Sequence, residues 1–498
     1  MQKKLKQIYS ECRDNISGHQ ALFKALLILF IIYLLSISTI LRANISYIDD
    51  YGRVISGHKG WENFSRYSSW FLSGLIHAGN FLADISPLTQ IIGLLFLSAA
   101  GIITIYVLGG KQQKVSFWQL AAVFPLGLCP YFLECISYRF DSPYMSLSVL
   151  AGVLPLLFAE SSIWIFLLAS FGGTLLMLTT YQAASGIFPM AVIVYSLNCW
   201  VRRKRTGSGQ KDILLRIAAA AGGYVLAVLL FLKVIMKPVE AVEGYMSADI
   251  APLRDVLPHL LRYYETVASD FKSWWLVVMG LIWLLYILVS VRESKNNKCL
   301  TLLLGIIACV LCGALAFGMY PFLTIPLEAP RAMYGIGALI AFPSVSLVSY
   351  RRTAAGKAAA FILTWAFIVV AFAYGNAFSQ QLAYTDFRIQ EVIEELKGLD
   401  TLKTPREEPV KLQVVGGIGK TPVIAGLITN YPVIDSLIPK TFDGSWEWSV
   451  WYFMYYYDLR NAAAYYGSDY DDAELEIYSD TIYHTISGND EYIRIELK

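Results

Sequence analysis

The sequence predicts an α-helical polytopic membrane protein of about eleven transmembrane helices, with its N-terminus inside and its C-terminus outside, where it ends in a small α+β domain. Three observations lead there. Of 498 residues, 56% are hydrophobic and only 16% charged, and the mean hydropathy is +0.51, too apolar for an ordinary soluble protein. Apolar runs long enough to cross a bilayer recur up to residue 377. Beyond that point the chain turns polar, which divides it into 1–377 and 378–498. The formal net charge of +2 says nothing about partners; the placement of the charges does.

The first run, 21–41, follows a basic N-terminal stretch with no small-residue cleavage site after it, and is expected to be a retained helix rather than a signal peptide. Further spans are expected at 88–109, 118–136, 144–160, 162–180, 184–200, 213–235, 274–291, 299–319, 333–350 and 357–377. The stretches near 118–143 and 181–189 are short and contain proline, and suit broken or re-entrant helices. Alternate loops are basic: Lys111 and Lys114; Arg202 to Arg205 with Lys211; Arg292, Lys295 and Lys298; Arg351, Arg352 and Lys357. The opposite loops hold Asp49, Asp50, Glu134, Asp141, Glu240, Glu243 and Glu328. The positive-inside bias therefore puts the N-terminus in, and the acid pair and the C-terminus out.

Two outer loops are too long to be simple connectors. In 42–87, Trp61, Phe64, Phe71, Leu72, Leu75 and Ile76 are spaced for one apolar helix face lying in the interface plane. In 236–273, Leu257, Leu260, Leu261 and Tyr264 repeat the pattern. Such outer helices suit an enzyme that covers a lipid-linked substrate. In the C-terminal region, 384–398 reads as an amphipathic helix, and 411–416, 473–479, 481–486 and 491–497 as strands.

Several tempting signals fail. Gly416 to Thr421 ends in Gly-Lys-Thr, but a phosphate loop needs its first glycine where Val414 stands, so the segment is expected to be a turn. Cys309 and Cys312 lie within an apolar span and read as small packing residues. The five histidines are scattered without metal-ligand spacing, and neither a metal nor another cofactor is expected.

The polar groups at outer span ends are the candidates for chemistry: Asp49, Asp50 and Arg53; Glu134, Arg139 and Asp141; Tyr181 and Gln182; Lys233 and Lys237; Glu328 and Arg331. Ionisable residues at that depth are costly, and face cavities or one another. A carboxylate would deprotonate an acceptor hydroxyl, and cations would stabilise a departing phosphate. The structural alternative pairs Arg139 with Glu134 or Asp141 to tie helix ends together; for Lys233 and Lys237, snorkelling at the end of a span is the simpler explanation. Trp446 and Trp448, with Trp451 and Tyr455 to Tyr457, either stack on sugar rings or form an aromatic core or belt.

An acid pair in the first outer loop, an interfacial helix after it, and an external C-terminal domain resemble the GT-C class of membrane glycosyltransferases. Tyr-Ile-Asp-Asp-Tyr-Gly-Arg (47–53), Arg-Tyr-Ser-Ser-Trp (66–70) and Phe-Leu-Glu-Cys-Ile-Ser-Tyr-Arg-Phe-Asp-Ser (132–142) are similar to the Gtr type II family, glucosyltransferases that modify bacterial O-antigen and are often phage-encoded serotype converters. The third segment is the most specific. Cys135 departs from the family's common Asn, a change of packing more than of chemistry. The resemblance implies a bacterial inner-membrane enzyme with a periplasmic active site and C-terminal domain. It implies a polyprenyl (undecaprenyl) phosphate-glucose donor, made and flipped by separate proteins, and an O-antigen acceptor on its lipid carrier. Transfer would invert the anomeric carbon without a metal. By the same resemblance Asp49 or Asp50 is the general base. Arg331, then Arg139 and Arg53, would hold the donor phosphate. Glu134, Asp141, Tyr181, Gln182, Trp446 and Trp448 would contact substrate. The alternatives are another lipid-linked sugar transferase or an O-antigen polymerase, which usually carries its longest outer loop mid-chain. A transporter would show intramembrane charges and repeated halves, whereas the spans are nearly free of acids and no pseudo-repeat is visible.

Overall fold

The computed structural model describes residues 20–44, 46–111, 114–202, 207–237, 249–350, 353–403, 407–467 and 475–498. The basic residues of the N-terminal stretch, Arg203 to Arg205, Glu240, Glu243, Arg351 and Arg352 lie outside them. Among the described residues, eight helices are long and apolar enough to cross a membrane: Leu88–Leu108, Ile163–Thr180, Gln182–Arg202, Lys211–Ile235, Ser273–Glu293, Lys298–Leu315, Pro330–Val348 and Ala354–Leu396. Shorter apolar helices at Gln20–Ser36, Phe117–Leu128 and Ser142–Phe158 take the places of the other expected spans.

Local chemistry explains the starts and breaks. Ser116 and Gln119 form a reciprocal capping box at the head of Phe117–Leu128. Ser162 and Asn297 cap Ile163–Thr180 and Lys298–Leu315 with their side chains. The helix begun at Phe117 ends because Cys129 precedes Pro130 and is held extended, at ψ 159°. It resumes as Phe132–Ser137 and leaves at Tyr138, again extended. A second interruption falls at Tyr181, extended at φ −150°, before a short 3-10 turn over Gln182–Gly186. Both breaks lie in the stretches expected to be discontinuous.

The loops sort into two groups. At one end, Arg202 donates to the Leu108 carbonyl (3.0 Å), Lys295 N to the Val201 carbonyl (3.3 Å), and Gln119 to Ser349 (3.1 Å). This is the end of Lys111 and Lys298. At the other, Ser69 bonds the Thr180 carbonyl (3.1 Å), Lys237 N bonds Ser65 (3.0 Å), and Tyr131 and Ser436 both bond Asp270 (3.0 and 3.1 Å). Acidic loops and the C-terminal region share this second end.

The outer loops differ from the simplest expectation. Segment 42–87 holds three short pieces, Asp50–Ser56, a 3-10 turn over Trp61–Phe64, and Tyr67–Ile76. Positive φ at Gly60 (73°) and Ser65 (55°) breaks the chain between them. Trp61 is consequently buried while Phe71 and Leu75 are exposed, so they do not share one face. In 236–273 the helix Leu253–Asp270 turns Leu257 and Leu261 outward and Tyr263 inward.

The last spanning helix does not stop at residue 377. It runs unbroken for 43 residues, Ala354–Leu396, roughly 65 Å at 1.5 Å per residue. Its final turns, with Ile389, Val392 and Leu396, enter a separate apolar core. That core also takes residues of β1 (Val410–Val415), β4 (His484–Gly488) and β5 (Tyr492–Leu497). With β2 (Ala462–Ala464) and β3 (Glu476–Asp480) they form one sheet of order β2-β1-β5-β4-β3. β1 is parallel to β2 and β5, and the others are antiparallel. The Gly-rich segment after β1 is a turn with positive φ at Gly416 and Gly419, and Lys420 bonds Asp435 at 2.5 Å.

Candidate active site

The broken helix sets up the site. Phe132–Ser137 and the loop to Asp141 project three groups toward three other elements: the Glu134 carboxylate, the Arg139 backbone N–H and the Asp141 carboxylate. All three are met by partners from the regions the sequence singled out.

Asp50 meets the second of these. It opens the helix Asp50–Ser56 and is fully buried, whereas Asp49, one residue earlier, is exposed. Ile48, just before the pair, sits at φ 44°. That conformation is costly for a β-branched residue and marks strain where the acid pair is placed. Oδ2 of Asp50 accepts from the backbone N–H of Tyr47 (2.9 Å) and of Arg139 (2.9 Å). Oδ1 is buried with no hydrogen-bond partner. Burial pushes the Asp50 carboxyl up to about 8. The two N–H donors and Arg53 oppose the rise, and nearby Asp141 adds to it.

The candidate arginines are held by acids. Arg53 is buried against Asp141, whose other oxygen takes the Trp61 indole N–H at 2.5 Å. The Arg53 guanidinium lies 4.7 Å from the Trp61 ring centroid. Arg331 gives Glu134 both its backbone N–H (2.5 Å) and a guanidinium N–H. Arg139 turns to Asp84 (2.5 Å) and Asn44, and not to Glu134 or Asp141 as the simplest ion-pair expectation had it. Lys237 bonds Ser65 through its backbone.

Tyr181 and Gln182 lie at the second helix break, joined by a residue that spacing alone did not single out. Arg66 places its guanidinium 4.5 Å from the Tyr181 ring centroid and donates Nε to Gln182 (3.1 Å). Gln182 in turn donates to the Phe64 carbonyl (3.0 Å). The Tyr181 hydroxyl is buried without a partner. Tyr47, Trp61, Arg66 and Asp84 were all missed as site residues. Tyr47 and Arg66 stand inside the quoted segments 47–53 and 66–70, Trp61 was read only as part of an apolar helix face, and Asp84 had no sequence signal beyond lying in the long outer loop.

The C-terminal region closes one flank. Tyr51 packs edge-on against Trp446 (5.5 Å) and Tyr452 (4.5 Å), and Trp448 stacks on His58 (5.7 Å). Gly52 is where Trp448 approaches most closely: a Cβ there would meet its ring at 2.6 Å. Beside this seam lies a cavity of about 210 Å³ bordered by Tyr51, Arg139, Asp386, Tyr452 and Tyr456. It combines a cation, a carboxylate and hydroxyl-bearing rings beside the acid pair's helix.

Comparison with known proteins bears on this arrangement. Residues 38–342 match the family model described as Glucosyl transferase GtrII, a segment that holds every candidate from Asp49 to Arg331. A Salmonella phage P22 protein, named as an uncharacterized 55.3 kDa protein in the gtrB 5′ region, is 22% identical over 417 residues, 81% of this chain and 84% of that protein. No solved structure matches.

Proposed function

This chain belongs to the GtrII glucosyl transferase family and is a glycosyltransferase, and from that premise we propose that it moves glucose from polyprenyl (undecaprenyl) phosphate-glucose to a sugar of the lipopolysaccharide O-antigen. The reaction takes place on the periplasmic face of the bacterial inner membrane. A separate synthase and flippase supply the donor. The N-terminus and the basic loops lie in the cytoplasm, about eleven helices cross the bilayer, and residues 378–498 form the periplasmic domain.

Asp50 is the general base. The observation that carries this is its geometry: one oxygen fixed by two backbone N–H groups, the other buried and unpartnered. The acceptor hydroxyl gives its proton to Oδ1 as its oxygen attacks the anomeric carbon. The bond from that carbon to the phosphate oxygen breaks on the opposite face, and the configuration inverts. Polyprenyl phosphate leaves with the electron pair, and Arg331 and Arg139 compensate its charge. Arg53 holds Asp141 and lowers the cost of ionising Asp50. Glu134 and Asp141 orient these cations, Tyr181 and Gln182 with Arg66 bound the donor side, and Trp446 and Trp448 hold the acceptor flank against Tyr51 and His58. Asp49, exposed, faces the entering substrate.

The test is expression with the donor-making and flipping partners in a host of defined O-antigen, followed by the mass of the polysaccharide repeat. A gain of one hexose is expected, lost in the Asp49→Ala/Asp50→Ala variant. A changed chain length without added hexose would point to a polymerase, and hexose transfer by the double variant would remove the carboxylate mechanism.

A further inference from the structure

A cavity of about 580 Å³ lies away from the acid pair, in the C-terminal region. Its wall is one face of the helix Glu447–Tyr456, where Glu447, Trp451 and Tyr455 recur at four-residue intervals. Its floor is Ala462–Ala464, the edge strand β2, whose methyl side chains leave the space open. Tyr466 lines it together with Trp451. Trp451 and Tyr455 are exposed at 37% and 65%. Asp458 lies at the rim, engaging Arg460 at 2.6 Å.

We propose that this cavity is a second saccharide subsite, which holds a sugar of the acceptor polymer several residues away from the one being modified. The inference rests on the glycan acceptor of the proposed function. Solvent-facing rings present flat apolar surface to the C–H face of a pyranose, and carboxylates accept from its hydroxyls. Arg460, the cation at this cavity, is taken up by Asp458, and Glu447 adds a further carboxylate, so the site favours the neutral glycan over the donor's phosphate headgroup. The same helix reaches the acid pair. One residue round from the cavity face, Trp448 and Tyr452 pack on His58 and Tyr51, and Trp448 meets Trp451 edge-on at 5.9 Å. One rigid helix thus spans both places, and a polymer bound in the cavity is presented to Asp50 by its neighbouring repeats.

The test uses the full chain in lipid nanodiscs, with lipid-linked acceptors of one repeat and of many. In Trp451→Ala and Tyr455→Ala the ratio of KM for the long acceptor to KM for the short one is expected to rise roughly tenfold, the equivalent of about 1.4 kcal/mol of lost stacking. An unchanged ratio overturns the proposal, including one in which both KM values rise together, which would make the rings structural. Saturation-transfer NMR with lipid-free O-polysaccharide supplies a readout without turnover. Signals present in the wild type, retained in Asp49→Ala/Asp50→Ala and lost in Trp451→Ala support the subsite; absence of signals in the wild type removes it. If glucose is never transferred but the polysaccharide still binds through Trp451, the proposed reaction fails and the subsite stands.

Discussion

At the scale of single residues, Asp50 is the informative one. Its folded carboxyl titrates near 8, raised first by burial, while an unfolded aspartate titrates near 4. Between those values the folded chain holds a proton that the unfolded chain has released, so stability falls as pH rises through that window and levels off above about 8. Replacing Asp50 by Asn removes this share of the slope. Thermal melts from about pH 6 to pH 8 should therefore show a smaller loss in Asp50→Asn than in the wild type. As a general base the group acts only when ionised, so kcat/KM should climb with pH and level off near 8, and Asp50→Asn should lose about 10²- to 10⁴-fold. A flat profile, or parallel melting slopes, would count against an elevated Asp50. The sequence made the acid pair conspicuous but left its two members equivalent. What separates them is the turn at Tyr47 and Ile48 and the N–H of Arg139, a contact 89 residues away that no local pattern encodes.

At the scale of elements, the helix breaks carry the site. Pro130 was legible as an interruption, because proline forces its predecessor out of the helical region. The break at Tyr181 was expected from a run whose proline, Pro189, instead sits inside the next helix, Ile187–Arg202. The pairings made at those breaks were not legible. Arg53, Arg139 and Arg331 each had more than one acid within reach on paper, and only the fold assigns Asp141, Asp84 and Glu134 to them. Strand β2 escaped notice because three alanines lack the β-branched signature of a strand and pair only through register with β1. The seam between Asp50–Ser56 and the helix Glu447–Tyr456 depends on Gly52, where a methyl group would overlap the Trp448 ring. Gly52→Ala should push that ring off His58, lowering both the melting temperature and the transfer rate. Trimming the ring in Gly52→Ala/Trp448→Leu should recover part of the stability lost. If the double variant loses as much as the two single changes added together, the two sites are independent and the seam is not held by this contact.

At the scale of the whole molecule, the charge pattern and the three-dimensional arrangement meet. Among the described residues, the basic loop residues named from the sequence come to one end, with Glu160 paired to Lys111. The acidic ones come to the other, where Arg53, Arg139 and Arg331 pair with acids. Lys111, Arg202 and Lys295 come to one end; Asp50, Glu134, Asp141 and Glu328 come to the other, with the C-terminal sheet. Loop lengths and span positions made the parity readable, but the continuity of Ala354–Leu396 was hidden by its change from apolar to amphipathic composition partway along. That helix carries the C-terminal core to the same end of the molecule as the acid pair, where Tyr47 bonds the Leu437 carbonyl and Tyr51 packs on Tyr452. Two reporters follow the proposed orientation. Cys299 is exposed at the basic end, and Glu408, exposed ahead of β1, takes a cysteine at the other. With each as the sole cysteine, a membrane-impermeant maleimide applied to spheroplasts should label Glu408→Cys at once and Cys299 only after the membrane is opened. The reverse order would put Asp50 on the cytoplasmic side, where the donor needs no flipping, and the proposed dependence on a flippase would fall with it.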